Sequence, residues 1–224
     1  MPTDRSERVR SPRPPAALVL AILAVAAAVL VLVAASAGRG TAAAATAAQG
    51  PASLAGQLLV AAEQMGDPRF ARTVVFMVQH DRSGALGLVV NRPFRELPIA
   101  ILLERLGEDA KGATGTIRVH YGGPVEPGRA FVLHTVEYAT DGTLVIGGGI
   151  AVTAQPEILR DIAAGSGPRR SLLAFGHAGW APGQLEDEIA RGDWHIVPAD
   201  EALVLGEGAD AKWERAMGRR RQNL

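Results

Sequence analysis

Histidine is the residue in this chain with the widest chemical use, because it binds metals and transfers protons near neutral pH. The five histidines are His80, His120, His134, His177 and His195. Metal sites draw on side chains four apart on a helix or two apart on a strand, and no two histidines have either spacing. We therefore predict no metal site and expect the rings to bond to nearby backbone. His177, at a strand exit beside Gly176, is the hardest to explain by packing alone.

Other groups that could perform chemistry are scarce. There is no cysteine, and none of the seven serines lies in a Gly-x-Ser-x-Gly motif. Gly122-Gly-Pro-Val125 and Gly147-Gly-Gly149 precede predicted strands, whereas a phosphate loop needs a following helix N-terminus. The acidic run Glu186-Asp-Glu188 is explained by its favourable interaction with a helix dipole. We predict no catalytic residue and no cofactor, and we favour a non-enzymatic protein.

A polar and aromatic interaction surface is the remaining candidate site. Asn91 and Arg92 stand at a predicted strand end, and Trp180 and Gln184 occupy a later loop. The full candidate set is Asn91, Arg92, His134, His177, Trp180 and Gln184. A turn asparagine, a surface arginine and a core tryptophan would explain the same residues without any partner. An enzymatic or ligand-binding cleft would instead require Asn91, His134 and His177 to converge.

The elements that position these residues follow from short apolar runs separated by turn residues. Asp81-Arg-Ser-Gly84 predicts a hairpin with a four-residue loop. Pro93 and Pro98 are expected to end the second strand of this hairpin, 86–91. Because strands come in runs between few helices, the pattern indicates an α+β domain with a mixed sheet. The predicted strands are 57–62, 73–79, 86–91, 117–121, 130–136, 144–146, 150–152 and 172–175, and the predicted helices are 99–106, 157–164, 184–190 and 212–221.

The segment Phe175 to Pro198 predicts a strand, a glycine turn, a helix and another strand. We expect the first strand to end near Gly176 and Gly179 to adopt a positive φ in the turn. Trp180 should fold back onto the sheet, and Pro182 to Leu185 should begin the helix.

Composition restricts the class of partner. The formal net charge is zero, but residues 53–224 carry 18 basic and 21 acidic side chains. A domain near minus three lacks the broad basic surface that phosphate contacts require, so direct nucleic-acid binding is not expected.

The N-terminus predicts a membrane segment. Residues 16–37 are 22 apolar or small residues, enough to span about 33 Å as a helix. Four arginines precede the segment, so residues 1–15 should be cytoplasmic and the later domain should face outward from the inner membrane. Residues 38–53 are typical of a flexible linker, and the folded domain should cover 54–224.

Two alternatives to a single-pass signal anchor stay open. Ala35-Ser-Ala37 is a small-x-small pattern, so a signal peptidase could cleave near Ala37 and release a secreted protein. A mispredicted start codon would instead leave the leader untranslated and the domain cytoplasmic. We favour the anchor, because the apolar run is long for a signal peptide.

Several motifs between Leu54 and Trp213 resemble the YqgE/AlgH family. They are Gln57-Leu-Leu-Val-Ala61, Asp67-Pro-Arg-Phe70, Gly84-Ala-Leu-Gly87, Asn91-Arg-Pro93, Gly122-Gly-Pro-Val125, Phe131-Val-Leu-His134, Gly179-Trp180, Pro182-Gly-Gln-Leu-Glu186 and Trp194. The resemblance implies a sheet curled into an open, barrel-like shape flanked by helices. Glu63 replaces a common proline, and the membrane segment departs from a family whose members look cytoplasmic.

The resemblance also implies a role without naming a reaction. Members of the family are often labelled transcriptional regulators, and no biochemical activity is established for them. We expect a membrane-tethered domain that binds an unknown protein partner. A cytoplasmic transcriptional regulator is the alternative, and a cleft enzyme or small-ligand binder is the third hypothesis.

Overall fold

A computed structural model describes residues 53–220, which belong to one compact unit. The predicted cytoplasmic segment 1–15, the membrane segment 16–37 and all but the last residue of the linker 38–53 lie outside the described residues. Between residues 53 and 220, no helix is both long enough and apolar enough to cross a membrane.

Ten strands and five α-helices make up the described domain. The strands are β1 (Gln57–Ala61), β2 (Val74–Asp81), β3 (Gly84–Val89), β4 (Pro93–Pro98), β5 (Thr116–Tyr121), β6 (Val125–Thr135), β7 (Leu144–Gly147), β8 (Ile150–Thr153), β9 (Ser171–Trp180) and β10 (Trp194–Pro198). The helices are α1 (Ile99–Arg105), α2 (Glu157–Ala163), α3 (Gln184–Ala190), α4 (Glu201–Leu205) and α5 (Lys212–Arg220), and a 3-10 turn covers Ala209–Ala211.

All ten strands join one sheet, whose main path runs β10-β1-β2-β3-β9-β6-β8-β7. β5 pairs with β9 outside this path, and β4 pairs with β5. The β5–β9 pairing is parallel and the other pairings in the described domain are antiparallel. The sheet curls into a half-barrel with helices, so the predicted α+β class and mixed, curled sheet are confirmed.

Strand β9 belongs to both halves of this sheet. Its first half pairs with β5 on one side and β6 on the other, for example through Leu173 opposite Val119 and Val132. Its second half pairs with β3, where Ala178 lies opposite Gly87. Gly176 stands between these halves with a φ of 72°, so the strand changes partners at a residue with left-handed backbone.

Three glycines allow the chain to pass close to itself at this point. A Cβ on Gly123 would lie 2.1 Å from the carbonyl carbon of His177, and a Cβ on Gly122 would lie 2.3 Å from the Gly176 oxygen. Gly123 also has a φ of 152°, which side chains rarely adopt. Residues after β5 can therefore cross β9 only because none of these positions has a side chain.

Three apolar clusters cover the sheet. The largest joins β1, β2 and β6 to α4 and α5, and includes Phe76, Leu133 and Trp213. The second lies beneath α3, and the third beneath α1 and α2. The Trp213 indole donates to the Ala61 carbonyl at 2.8 Å, which fixes the last helix against the first strand.

Several predicted boundaries are wrong in instructive ways. β2 and β3 extend to Asp81 and Gly84, so two residues and not four form the hairpin loop. The Asp81 carboxylate accepts from the Ser83 amide at 2.7 Å and closes this shorter turn. Residues 93–98, expected to end a strand, form β4, where prolines are tolerated because the strand pairs on one side. Helix α4 is absent from the predicted helices, because its five residues show no clear apolar period.

Replacing Gly123 by alanine should destabilise the domain by at least about 2 kcal/mol, through backbone strain and a forced separation from β9. Gly128→Ala on β6 is the matched control, because nothing lies within 4 Å of the added Cβ. The control should stay within about 0.5 kcal/mol of the parent. Urea denaturation measures both, and equal midpoints for the two variants would contradict a close crossing at Gly123.

Candidate functional site

A cleft of about 360 Å³ lies at the corner where β9, α3 and β10 meet. The loop between β1 and β2 forms one wall, and the segment between β5 and β6 forms another. Its lining residues are Met65, Gly66, Asp67, Arg69, Phe70, Pro124, Val125, Gly179, Trp180, Gln184, Glu188, Arg191, Asp193 and Trp194. We call this site the aromatic cleft.

The Glu188 carboxylate organises the cleft by joining three donors. One oxygen accepts from the indole nitrogens of Trp180 and Trp194, both at 2.8 Å. The other oxygen accepts from the Gln184 side-chain amide at 2.9 Å. Hydrogen bonds to a carboxylate are stronger than those between neutral groups. A single side chain on α3 therefore fixes the orientation of tryptophans that come from β9 and β10.

Aromatic packing completes the arrangement. The rings of Trp180 and Trp194 meet edge to face with centroids 6.0 Å apart, and Phe70 meets Trp194 in the same way at 5.6 Å. Both tryptophans are buried, at 7% and 3% exposure. Aromatic pairs in this geometry contribute beyond the area they bury. The packing therefore holds the aromatic side chains of the cleft wall in one arrangement.

The charged groups at the rim are already paired. Arg69 donates to both oxygens of Asp67, which lowers the pKa of that carboxyl, and Arg191 donates to Asp193 at 3.0 Å. Both arginines are exposed, at 64% and 60% of the side chain. The rim thus offers solvent-accessible guanidinium groups without a free base or acid.

Gly179 forms part of the floor of the cleft and differs from the expectation. Its φ is not positive, and the strand continues through it to Trp180. The positive φ that we expected there occurs at Gly176 and at Gly183, the residue before α3. A Cβ on Gly179 would meet Val125 and His177 at ordinary distances of 3.6 and 3.7 Å. The corner therefore tolerates a side chain at Gly179, contrary to the prediction.

The predicted interaction residues are only partly brought together. Trp180 and Gln184 line the aromatic cleft, and Trp180 is buried on the sheet as expected. Asn91 instead bridges two backbone segments, accepting from the Val74 amide and donating to the Arg72 carbonyl, both at 2.9 Å. Arg92 donates to the Ala71 carbonyl at 3.1 Å.

The two histidines of the predicted set have different surroundings. His134 is fully buried and its ring nitrogens bond to the Thr153 hydroxyl and the Thr135 carbonyl, at 2.9 and 3.0 Å. His177 packs edge to face on Phe131, and its Nδ1 has no hydrogen-bond partner among the described residues. Burial lowers the pKa of both rings. His177 adjoins Gly179 at the cleft floor, whereas His134 lies in the core.

Convergence of Asn91, His134 and His177, which the cleft-enzyme hypothesis required, is not seen. Asn91 and His134 bond to separate partners, and no hydrogen bond joins any two of the three. Between residues 53 and 220, no three histidine, cysteine or carboxylate side chains are placed to hold a metal ion.

Sequence reasoning missed most of the cleft. Glu188 was assigned only to the helix dipole, although it lies beyond the acidic first turn of α3, which holds Glu186 and Asp187. The i, i+4 spacing of Gln184 and Glu188, between two tryptophans, was the available signal. The contribution of Asp67, Arg69 and Phe70 depends on tertiary packing and has no local signal.

The sequence of this chain is similar to a family profile and to proteins from several bacteria. The sequence profile of the AlgH-like family matches residues 58–224. A UPF0301 protein of Afipia carboxidovorans is 45% identical over 179 residues, covering 76% of this chain and 85% of the relative. A UPF0301 protein of a Methylobacterium species is 47% identical over 182 residues, covering 76% and 87%.

Solved structures share the same fold. The solution structure of the AlgH protein from Pseudomonas aeruginosa matches with a TM-score of 0.64 and 38% identity, covering 76% of this chain and 90% of that one. A crystal structure from Corynebacterium diphtheriae matches with a TM-score of 0.58 and 24% identity, over 74% and 86%. The second likeness concerns the fold alone.

Trp180→Ala should destabilise the domain by about 3–5 kcal/mol, because it removes a buried indole and one donor to Glu188. Trp180→Phe keeps much of the ring volume and should cost less. Chemical denaturation of the parent and the two variants measures their free energies of unfolding, which should fall in the order parent, Trp180→Phe, Trp180→Ala. Equal stability of the alanine variant and the parent would show that the indole does not support the corner.

Proposed function

This chain belongs to the AlgH-like family, and we propose that it is a non-enzymatic domain that binds a protein partner through the aromatic cleft. The family has no established biochemical role, so the proposal rests on the geometry of the cleft. The observation that supports it most directly is the pair of tryptophans held on one carboxylate oxygen of Glu188.

The state of the charged groups favours binding over catalysis. Each carboxylate that lines the cleft accepts hydrogen bonds from a neighbour: Asp67 from Arg69, Asp193 from Arg191 and Glu188 from the indoles. General acid–base catalysis needs a group that is free to exchange a proton with a substrate. A rigid surface with satisfied polar groups instead loses little entropy on association.

The accessible parts of the cleft suit an extended protein segment. Gly179 is exposed between buried neighbours, so a partner's backbone can approach the sheet there. The Arg69 and Arg191 guanidinium groups stand at the rim and can donate to carbonyl or carboxylate oxygens of the partner. Arginine is among the residues that most often dominate binding energy at interfaces.

We further propose that residues 16–37 anchor the protein in the inner membrane with the domain facing outward. The support is the 22-residue apolar run behind four arginines. Cleavage near Ala37 would give a secreted form of the same domain. A cytoplasmic transcriptional regulator is less consistent with the excess of acidic over basic side chains in residues 53–224.

A side chain added at Gly179 should block the cleft without unfolding the domain. Gly179→Leu places apolar bulk on the floor at a position free of backbone strain. We would introduce a photoreactive amino acid at Gly66 of the full chain, an exposed residue of the cleft with nothing within 4 Å of an added Cβ, and identify the protein that becomes crosslinked in cells. The Gly179→Leu variant should reduce this product at least about tenfold, as expected for loss of one interface anchor.

Gly218→Leu is the matched control, because Gly218 is exposed on α5 with nothing within 4 Å of an added Cβ. The control should keep the crosslinked product at the parent level, and neither variant should fall below the parent's thermal midpoint, which the loss of a helical glycine raises in Gly218→Leu. An undiminished product in a folded Gly179→Leu protein would exclude the cleft as the binding surface.

Topology tests the membrane proposal independently. Alkaline phosphatase or green fluorescent protein would be fused after Leu224, and the phosphatase alone should be active, because it requires an oxidising compartment. The fusion should also remain with membranes after a carbonate wash. Fluorescence with inactive phosphatase would contradict the outward orientation and support the regulatory alternative.

A further inference from the structure

Lys212, the first residue of α5, is buried without a carboxylate partner. Its side chain is 1% exposed, and its Nζ donates to the carbonyls of Val90 and Val204 at 3.0 and 2.7 Å. Among residues 53–220, no salt bridge joins this ammonium to an acidic side chain. Lysine is almost never fully buried unless it is paired, because desolvation of the charge is costly. The two carbonyls satisfy two of its three N–H groups.

A second buried donor stands beside the same space. His120 on β5 is 4% exposed, and its Nδ1 has no hydrogen-bond partner within the described part of the chain. Burial, and then the positive charge of Lys212, lower the pKa of His120 to about 4. The ring is therefore neutral at pH 7, and in the tautomer that carries its proton on the unpartnered Nδ1 it can donate one hydrogen bond there.

Lys212 and His120 both line a small polar cleft of about 160 Å³ that shares no residue with the aromatic cleft. Its other lining residues are Glu96, Arg118, Ser171, Leu172, Leu205, Gly206, Glu207 and Ala209. We call this site the lysine cleft. Space of this size accommodates a ligand of a few heavy atoms.

The charges at the mouth of the lysine cleft are balanced. Arg118 bonds to Glu207 and also to Glu96, with 3.4 Å to the latter. All three side chains are exposed to solvent, Glu207 at 80%. Arg215 on α5 donates to the carbonyls of Glu207 and Gly208. The interior therefore contains one uncompensated cation, Lys212, and one neutral donor, His120.

We propose that the lysine cleft binds a small oxyanion, a carboxylate or a phosphate, whose oxygens accept from Lys212 Nζ and from the His120 ring. Such a ligand supplies the acceptor and the negative charge that the buried ammonium lacks. The positive charge of Arg118 at the mouth attracts the anion. Arg118 can also release Glu207 or Glu96 and bond to the ligand instead. This site is independent of the proposed protein partner and of the membrane segment.

The pH dependence follows from the lysine. Burial is the main cause that lowers the pKa of Lys212 to about 8; Arg215 and Arg118 also lower it, and Glu207 raises it. Below pH 8 the ammonium is present and can bind the anion, so affinity should fall as the pH rises through about 8. By linkage, a bound anion raises the pKa of Lys212, by about one unit when its concentration is ten times the Kd.

The chain offers an unusually direct test, because Lys111 and Lys212 are its only lysines. In the full chain labelled at lysine, NMR should show two side-chain signals, with exposed Lys111 as an internal control. Inorganic phosphate and acetate would be titrated separately at pH 6.5. We expect one or both to shift the Lys212 signal saturably and to raise its pKa, with no saturable change at Lys111.

Variants then separate binding from folding. Binding to the variants is followed at the His120 ring signals, because Lys212→Met removes the lysine signal itself and His120 lines the same cleft. Lys212→Met keeps the packing of α5 and should abolish binding, whereas Lys111→Met should not change it. Surface variants provide a test that does not disturb the core. Arg118→Gln should lower the affinity for the anion about 3–10-fold, and Glu207→Gln should raise that affinity by a similar factor.

A response to phosphate alone or to acetate alone supports the site and assigns its ligand class. The proposal is overturned if neither anion shifts Lys212 at concentrations up to about 50 mM. It is also overturned if Lys111 responds equally, if folded Lys212→Met binds as tightly as the parent, or if the two surface variants change affinity in the same direction.

Discussion

The architecture depends on a close backbone crossing at Gly122, Gly123 and Gly176. Because no side chain stands between the two segments, β9 can pair with β5 and β6 in its first half and with β3 in its second. This shared strand is what makes one curled sheet from two sets of strands. Gly176 turns the strand at the crossing, and Trp180 reaches the corner only because the strand continues four residues further.

The aromatic cleft is a direct product of that continuation. The strand delivers Trp180 to α3, α3 supplies Glu188, and the chain returns in β10 with Trp194. One carboxylate therefore holds three consecutive elements together while leaving the floor at Gly179 open. The same side chains hold the corner together and line the aromatic cleft, so a structural role for Trp180 does not conflict with its place in the cleft wall.

The sequence allowed prediction of what is encoded locally. Alternation of apolar residues and turn residues located most strands and the helices α1, α2, α3 and α5. The order of these elements indicated a mixed sheet, and the family motifs indicated that the sheet is curled. Local patterns could not show that Gly176, and not Gly179, carries the left-handed backbone, because both are glycines near a strand end.

Local patterns also could not show which polar residues meet. The prediction grouped Asn91 with Trp180, yet Asn91 bonds to Val74 and Arg72. The sequence gives no signal that Lys212 is buried, because the carbonyls that accept from it belong to Val90, the residue after β3, and to Val204 of α4.

The pairing of the first strand with the last has a kinetic consequence. Gln57 lies opposite Pro198, and Trp213 bonds to Ala61 across 152 positions of the chain. Contacts between residues so distant in sequence form late, because closing a long loop costs entropy before any contact compensates for it. During synthesis, β1 has no neighbour on its β10 side until almost the whole polypeptide has left the ribosome. The nascent domain therefore stays incompletely folded through most of translation, and during that time its first strand exposes an unpaired edge to which chaperones can bind.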